Sequence, residues 1–237
     1  MSLEVVNLRK SFGGIIAVKD VTLKIPIGSI VGLIGPNGAG KSTLINLITG
    51  FLKPETGKVL FNGRNITGLK PYEIIRLGIC RTFQITQVFS ELTVYENLLV
   101  PLTWMKTEAD IKDELIDRQL DFFELAHLKQ ELAGRLSGGQ KKLLELAAIT
   151  LLNPNIYLLD EPLYGVHPLL KNKILMKIKY LRDNEEKTFL IISHDIPALM
   201  SICDYVHVMS YGEILASGTP EEVRNDVRVI EAYLGGS

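Results

Sequence analysis

The sequence predicts an α/β fold: a sheet core, an antiparallel β portion near the N terminus, and a helical insertion at about residues 85–153. Three observations lead there. Short continuous apolar runs at residues 29–35, 156–159 and 189–192 have the length and the β-branched or leucine-rich make-up of strands covered on both faces. Val21-Thr22-Leu23-Lys24-Ile25 alternates apolar and polar residues, the pattern of a half-buried strand. Residues 107–132 instead hold few glycines and many charges, with Leu115, Leu120, Phe123, Leu125 and Leu128 at roughly helical spacing, and residues 137–152 read as a second helix.

The other elements follow in order. Residues 42–52 read as a helix after the first buried run, and residues 57–62 as a strand closed by a turn at Gly63. A chain of 237 residues buries roughly 70% of its unfolded surface. With 46% hydrophobic residues it can fill that interior, which excludes disorder as the dominant state. One domain over residues 1–237 is expected, with residues 1–84 and 154–237 as the core and residues 85–153 as the helical part. Lys and Arg number 26 against 27 Asp and Glu, so the basic surplus of a nucleic-acid partner is missing. No window approaches the ~18 apolar residues of a membrane span; residues 146–159 are cut by Asn153, Pro154 and Asn155. No basic segment followed by an apolar run opens the chain, so a cytosolic protein is expected, meeting a membrane only through partners. Cys80 and Cys203 fit no metal-type spacing and read as buried thiols of a reducing compartment.

Two segments carry chemistry. Gly35-Pro36-Asn37-Gly38-Ala39-Gly40-Lys41-Ser42 fits the pattern G-x-x-x-x-G-K-[ST] between a predicted strand and a predicted helix. Its glycines let backbone N–H groups turn inward as an anion cradle, and the helix N-terminus adds partial positive charge. Lys41 is expected at the β- and γ-phosphates of a nucleotide, the Ser42 hydroxyl on Mg²⁺, and Thr43 at the α-phosphate. The run at residues 156–159 leads into Asp160-Glu161, placing both acids at the carboxyl edge of the sheet, where open α/β sheets bind ligands. Asp160 is expected to hold Mg²⁺ through water. Glu161 is expected to orient the attacking water and accept its proton late, since phosphoryl transfer rests on positioning and charge stabilisation.

Upstream of Asp160 stands Leu136-Ser137-Gly138-Gly139-Gln140. With this signature the chain resembles the ATP-binding subunits of ABC transporters, which implies a P-loop NTPase core of the ABC ATPase type, an N-terminal antiparallel β subdomain and an inserted helical subdomain. A helix opened by Ser137-Gly138-Gly139 offers free N–H groups as a second anion site. The resemblance implies ATP and Mg²⁺ as cofactors and a head-to-tail dimer of homologous subunits, identical or not. In that dimer the phosphate loop of one subunit and Ser137, Gly138, Gly139 and Gln140 of the other enclose each ATP. It also implies that Gln84 senses Mg²⁺ and the attacking water, that His194 contacts the γ-phosphate, and that Phe12 stacks on adenine with Val18 as an apolar neighbour. Glu161, His194, Gln84 and Lys41 form the implied catalytic set; Ser42, Gln84 and Asp160 form the metal set.

A narrower resemblance, to the ATPase subunits of branched-chain amino-acid importers, lies in Arg81-Thr82-Phe83-Gln84, Phe89, residues 92–98 and residues 229–235. It implies a peripheral ATPase on the cytoplasmic face of the membrane, working with integral permease subunits and, indirectly, a substrate-binding protein. The apolar set Ile85, Val88, Phe89 and Leu92 reads either as the permease-docking surface or as core. Importers of urea or other amides and lipopolysaccharide-export ATPases share much of this pattern, and a soluble non-transport ABC ATPase is the alternative of a different class. A repair ATPase needs coiled coils that the stretch between Thr43 and Ser137 cannot hold, translation factors join two cassettes, and Asn172-Lys173-Ile174-Leu175 lacks the acid of a guanine-reading element. A cofactor-assembly ATPase stays open by length and is told apart by co-purification with an integral membrane protein. One departure stands out: His167 follows Leu163-Tyr164-Gly165-Val166 where the family commonly carries Asp. A tolerated polar substitution at the interface is expected; the alternative is that His167 makes ATPase activity or dimerisation pH-sensitive, since histidine as a residue type titrates near neutrality. An ATPase pH profile unchanged by His167→Asp disposes of the pH-sensing reading.

Overall fold

The computed structural model describes residues 2–103 and 108–234. In chain order its elements are β1 (Ser2–Phe12), β2 (Ile15–Pro26), β3 (Ile30–Ile34), α1 (Lys41–Ile48), β4 (Thr56–Phe61), β5 (Arg64–Asn65), α2 (Pro71–Arg76) and β6 (Ile79–Arg81). Then follow α3 (Val94–Leu99), α4 (Ala109–Phe122), α5 (Gly138–Thr150), β7 (Ile156–Asp160), α6 (Pro168–Glu185), β8 (Thr188–Ile192), α7 (Ile196–Met200), β9 (Tyr205–Ser210), β10 (Glu213–Gly218), α8 (Pro220–Asn225) and α9 (Val227–Leu234).

The strands form two sheets. One is antiparallel in the order β2-β1-β4-β5; the other runs β10-β9-β3-β8-β7-β6, parallel except for the edge pair β9–β10. The continuous apolar runs are central strands of this second sheet, as expected of strands covered on both faces. Alternate side chains of each strand serve different cores. Tyr157, Leu159, Phe189 and Ile191 pack with the helical segment and α6, whereas Ile156, Leu158, Leu190 and Ile192 pack with α1 and the antiparallel sheet. Every residue of β3, β7 and β8 is buried. Their carboxyl ends therefore open from one rigid slab.

Two helical expectations need correction. The helix expected over residues 42–52 ends at Ile48, because Gly50 adopts the left-handed conformation (φ 74°), the usual helix stop. A side chain there is also excluded, since its Cβ would stand 2.1 Å from the Leu69 carbonyl oxygen. The region 107–132 is one helix, α4, followed by a 3-10 turn at Ala126–Leu128. The chain breaks at Glu124, whose φ of 59° no α-helix accommodates. Residues 104–107, and residues 235–237 of the C-terminal motif, lie outside the described residues. Cys80 is buried and Cys203 half-buried, both free, and burial pushes each thiol up to about 12, leaving them inert near neutrality.

Candidate active site

β3 delivers the glycine-rich loop and α1 leaves it. At Gly40 the backbone is left-handed (φ 100°), and a Cβ would lie 2.1 Å from the Ala17 carbonyl oxygen; at Gly35 one would lie 2.0 Å from that of Met209. Neither position admits a side chain without moving backbone. Gly40 is also the N-cap of α1, and no side chain caps this helix. Its first N–H groups are thus left to the loop's hollow, where an anion is the natural partner. Lys41 Nζ donates to the carbonyls of Gly35 (2.7 Å) and Pro36 (2.9 Å). Burial lowers its pKa, while the charges of Glu161 and Asp160 pull it back up.

A cavity of about 230 Å³ opens over the loop, lined by Asn37, Gly38, Ala39, Gly40, Lys41, Ser42 and Thr43 together with Ala17, Gln84, Asp160, Glu161, Ile192 and His194. Segments far apart in the chain thus bring the phosphate loop, the acidic strand end, the glutamine and the histidine to one space. Asp160 closes β7, is buried, and leaves Oδ1 without a hydrogen-bond partner; Oδ2 lies 3.8 Å from the Arg81 guanidinium. Burial raises its pKa, against Arg81, the Ser42 hydroxyl, Lys142 and Lys41. Glu161 is likewise buried and adopts a left-handed φ of 53°, a costly conformation for a residue bearing a side chain. Its Oε2 accepts the His194 backbone N–H (3.1 Å). His194 Nε2 stands 3.3 Å from Oε1 without hydrogen-bond alignment, so that oxygen stays unpaired. Burial raises the Glu161 pKa; the His194 N–H and the nearby His194 and Lys41 oppose this, and Asp160 adds to it.

Unpaired buried carboxylate oxygens call for a cation. Among the described residues no cluster of three or more His, Cys, Asp or Glu side chains is placed to hold a metal ion. Asp160 with Ser42 and Gln84 still suits Mg²⁺, which takes one or two carboxylates and completes its shell with phosphate oxygens and water.

Several expected contacts fall elsewhere. Val18 is fully buried in the core under the antiparallel sheet and offers no surface to a ligand, which corrects its expected place beside adenine. Its neighbour Ala17 faces the cavity instead. Phe12 sits at the end of β1, outside the cavity lining and half-exposed, close to the exposed Ile15 and Ile16 of β2. Ser137, Gly138, Gly139 and Gln140 open α5 and line none of the cavity. Ser137 Oγ accepts the Gln140 N–H (3.3 Å) and Gln140 Oε1 accepts that of Ser137 (2.9 Å), a reciprocal cap. His167 caps α6, its Nδ1 accepting the Leu169 N–H (3.4 Å), a role an Asp would also fill.

Sequence reasoning missed Ala17 and Ile192, which line the cavity, and Arg81. The Arg81 guanidinium lies against both rings of the edge-to-face pair Phe51 and Phe83 (5.2 and 4.5 Å to the centroids) and donates to Asn46 Oδ1 (2.6 Å) and Thr49 Oγ1 (3.1 Å). It thus ties α1 to β6 beside Asp160. An arginine directly after the buried residues Ile79 and Cys80 was the available signal.

A parallel sheet with a phosphate loop, an acidic strand end and a strand-end histidine at one edge defines a nucleoside-triphosphate-binding cassette. Residues 18–164 match the ABC transporter family, and residues 213–237 match the branched-chain amino acid ATP-binding cassette transporter family. The chain belongs to the ABC transporter family. It is 39% identical to the "probable branched-chain amino acid transport ATP-binding protein LivG" of Archaeoglobus fulgidus, over 98% of this chain and 95% of the relative. The crystal structure of the ADP conformation of MJ1267, an ATP-binding cassette of an ABC transporter, superposes with a TM-score of 0.90 at 37% identity, covering 99% of both chains. A dimeric post-hydrolysis structure of the cassette MJ0796 bound to ADP and Pi superposes at 0.83 and 27% identity, covering 92% of this chain and 98% of that one.

Proposed function

We propose that this chain is the ATP-hydrolysing subunit of a membrane importer of branched-chain amino acids, working with Mg²⁺ as a head-to-tail dimer. One observation carries the reading: Lys41, Ser42, Gln84, Asp160, Glu161 and His194 converge on one cavity while Ser137, Gly138, Gly139 and Gln140 stay outside it. A single subunit holds one half of a phosphate clamp, and a second copy supplies the other.

The loop N–H groups and Lys41 bind the β- and γ-phosphates, the ammonium exchanging its two loop carbonyls for phosphate oxygens. Ser42, Asp160 and Gln84 hold Mg²⁺, which neutralises phosphate charge. Glu161, its Oε1 unpaired and its Oε2 fixed by the His194 N–H, orients the water that attacks the γ-phosphorus; the bond from that phosphorus to the bridging oxygen breaks, ADP leaves with that oxygen, and Glu161 takes the water's proton late. His194 faces the same phosphate. The exposed Phe12 gives the adenine a ring to stack on. In this reading residues 85–153 form the helical signature subdomain on the core of residues 1–84 and 154–237.

Among the described residues no helix is long and apolar enough to cross a membrane. Integral permease subunits then carry the substrate, the chain lies peripherally on the cytoplasmic face, and a substrate-binding protein acts on the far side. Ile85 is 78% and Phe89 57% exposed, whereas Val88 and Leu92 are half-buried, so the first two are the docking residues and the others support them. Ile85→Asp with Phe89→Asp is expected to remove the chain from permease-bearing vesicles in a flotation assay while the free chain keeps its ATPase rate. A double variant that loses its fold by circular dichroism would place both residues in the core.

The whole reading is tested by capturing the chain from its native membranes and reconstituting the captured complex. ATP-driven leucine uptake that Lys41→Ala abolishes is the expected result. Uptake indifferent to Lys41→Ala, or capture without any integral membrane protein, sinks it.

A further inference from the structure

The segment between β6 and α3 holds Gln84 yet has no regular backbone structure of its own over residues 82–92. Side chains of α5 fix it. Lys142 Nζ donates to the carbonyls of Phe83 (3.1 Å) and Gln84 (3.2 Å), and Glu145 Oε1 accepts the Gln87 N–H (3.2 Å). Lys142 and Glu145 lie one helical turn apart on the same face and approach each other to 3.5 Å. Both side chains are only 6% exposed. A buried ion pair is seldom retained for stability, because desolvation offsets its attraction. Here the pair positions the backbone, since one helix turn holds the carbonyls of Phe83 and Gln84 and the N–H of Gln87. The far end of the segment is held separately, by Asn97, which accepts the Phe89 N–H (2.8 Å) and donates to the Phe89 carbonyl (3.0 Å).

The same helix begins with the reciprocal cap of Ser137 and Gln140. From Ser137 to Lys142 the helix rises about 7.5 Å, too short a stretch to bend without breaking its hydrogen bonds. Resting on the proposed function, we propose that Lys142, backed by Glu145, is a positioning residue that ties Gln84 to the signature end of α5. The group facing the subunit's own nucleotide and the face turned to the partner's then move as one body.

A double-mutant cycle on the full chain tests this. Gln84→Ala, Lys142→Met and the combination are compared for kcat, for KM and for binding of a fluorescent ATP analogue. If Lys142 acts through Gln84, Lys142→Met lowers kcat by about tenfold with nucleotide affinity within about threefold of the parent, and the combined variant is no slower than Gln84→Ala alone. Lys142→Arg, whose guanidinium still reaches two carbonyls, is expected to recover most of the rate. Losses that multiply in the combined variant overturn the proposal, as does parental kcat in Lys142→Met. Should Lys142→Met not fold, Lys142→Met with Glu145→Met removes both charges and leaves no buried ion unpaired; a parental rate in that variant overturns it equally. A parent chain that hydrolyses no ATP would fail the proposed function itself, whereas an active parent with additive losses fails only the tie.

Discussion

Glu161→Gln is expected to keep ATP affinity within about threefold while hydrolysis falls by about a thousandfold or more, because the amide orients water but cannot take its proton. ATP then persists between two subunits, and a stable dimer should elute on size exclusion only when ATP and Mg²⁺ are present. Turnover at the parental rate would remove Glu161 from its place in the reaction. The same substitution carries a stability signature of known sign. Burial holds the Glu161 pKa above its unfolded value, so the parent's stability from this group is fully present below the unfolded pKa and is lost as pH rises through the folded one. A neutral glutamine avoids that loss. Thermal melts should therefore favour the variant at neutral pH, the advantage shrinking as pH falls toward about 4, near the unfolded value of a glutamate.

Mixing a Ser137→Arg chain with a Lys41→Ala chain is expected to restore ATPase activity that each lacks alone. In the mixed dimer one composite site joins an intact phosphate loop to an intact signature, and the other site holds both lesions. Statistical pairing limits recovery to about a quarter of the parental sites, if half of the dimers are mixed and each carries one sound site. The measurement is steady-state phosphate release against mixing ratio. A mixture no faster than its components, or full-rate hydrolysis by a strict monomer, would end the shared-site reading.

What could be read from the chain beforehand divides along a physical line. The phosphate loop, the Asp160-Glu161 strand end and the central strands were legible because each depends on a contiguous run: glycine spacing for the loop, unbroken apolar residues for strands buried on both faces. Val18 was placed beside adenine by the resemblance alone; within β2 it pairs with Lys10 and its side chain turns into the core, a direction that no local pattern around it announces. Arg81 and Lys142 stayed hidden for a different reason. Their partners lie far away along the chain, Arg81 on Asn46 and Lys142 on Phe83 and Gln84, and charged side chains with such distant anchors look like solvated ones until the chain is folded. β9 and β10 escaped notice although residues 206 and 208 are as buried as any in the core.

The two helix starts that the proposed reading turns toward phosphate are not equally ready. That of α1 is bare, whereas Ser137 and Gln140 clasp each other at the start of α5. In the proposed reading a lone subunit can load its fuel at once but must wait for a mate to ignite it, because the second grip belongs to the other copy.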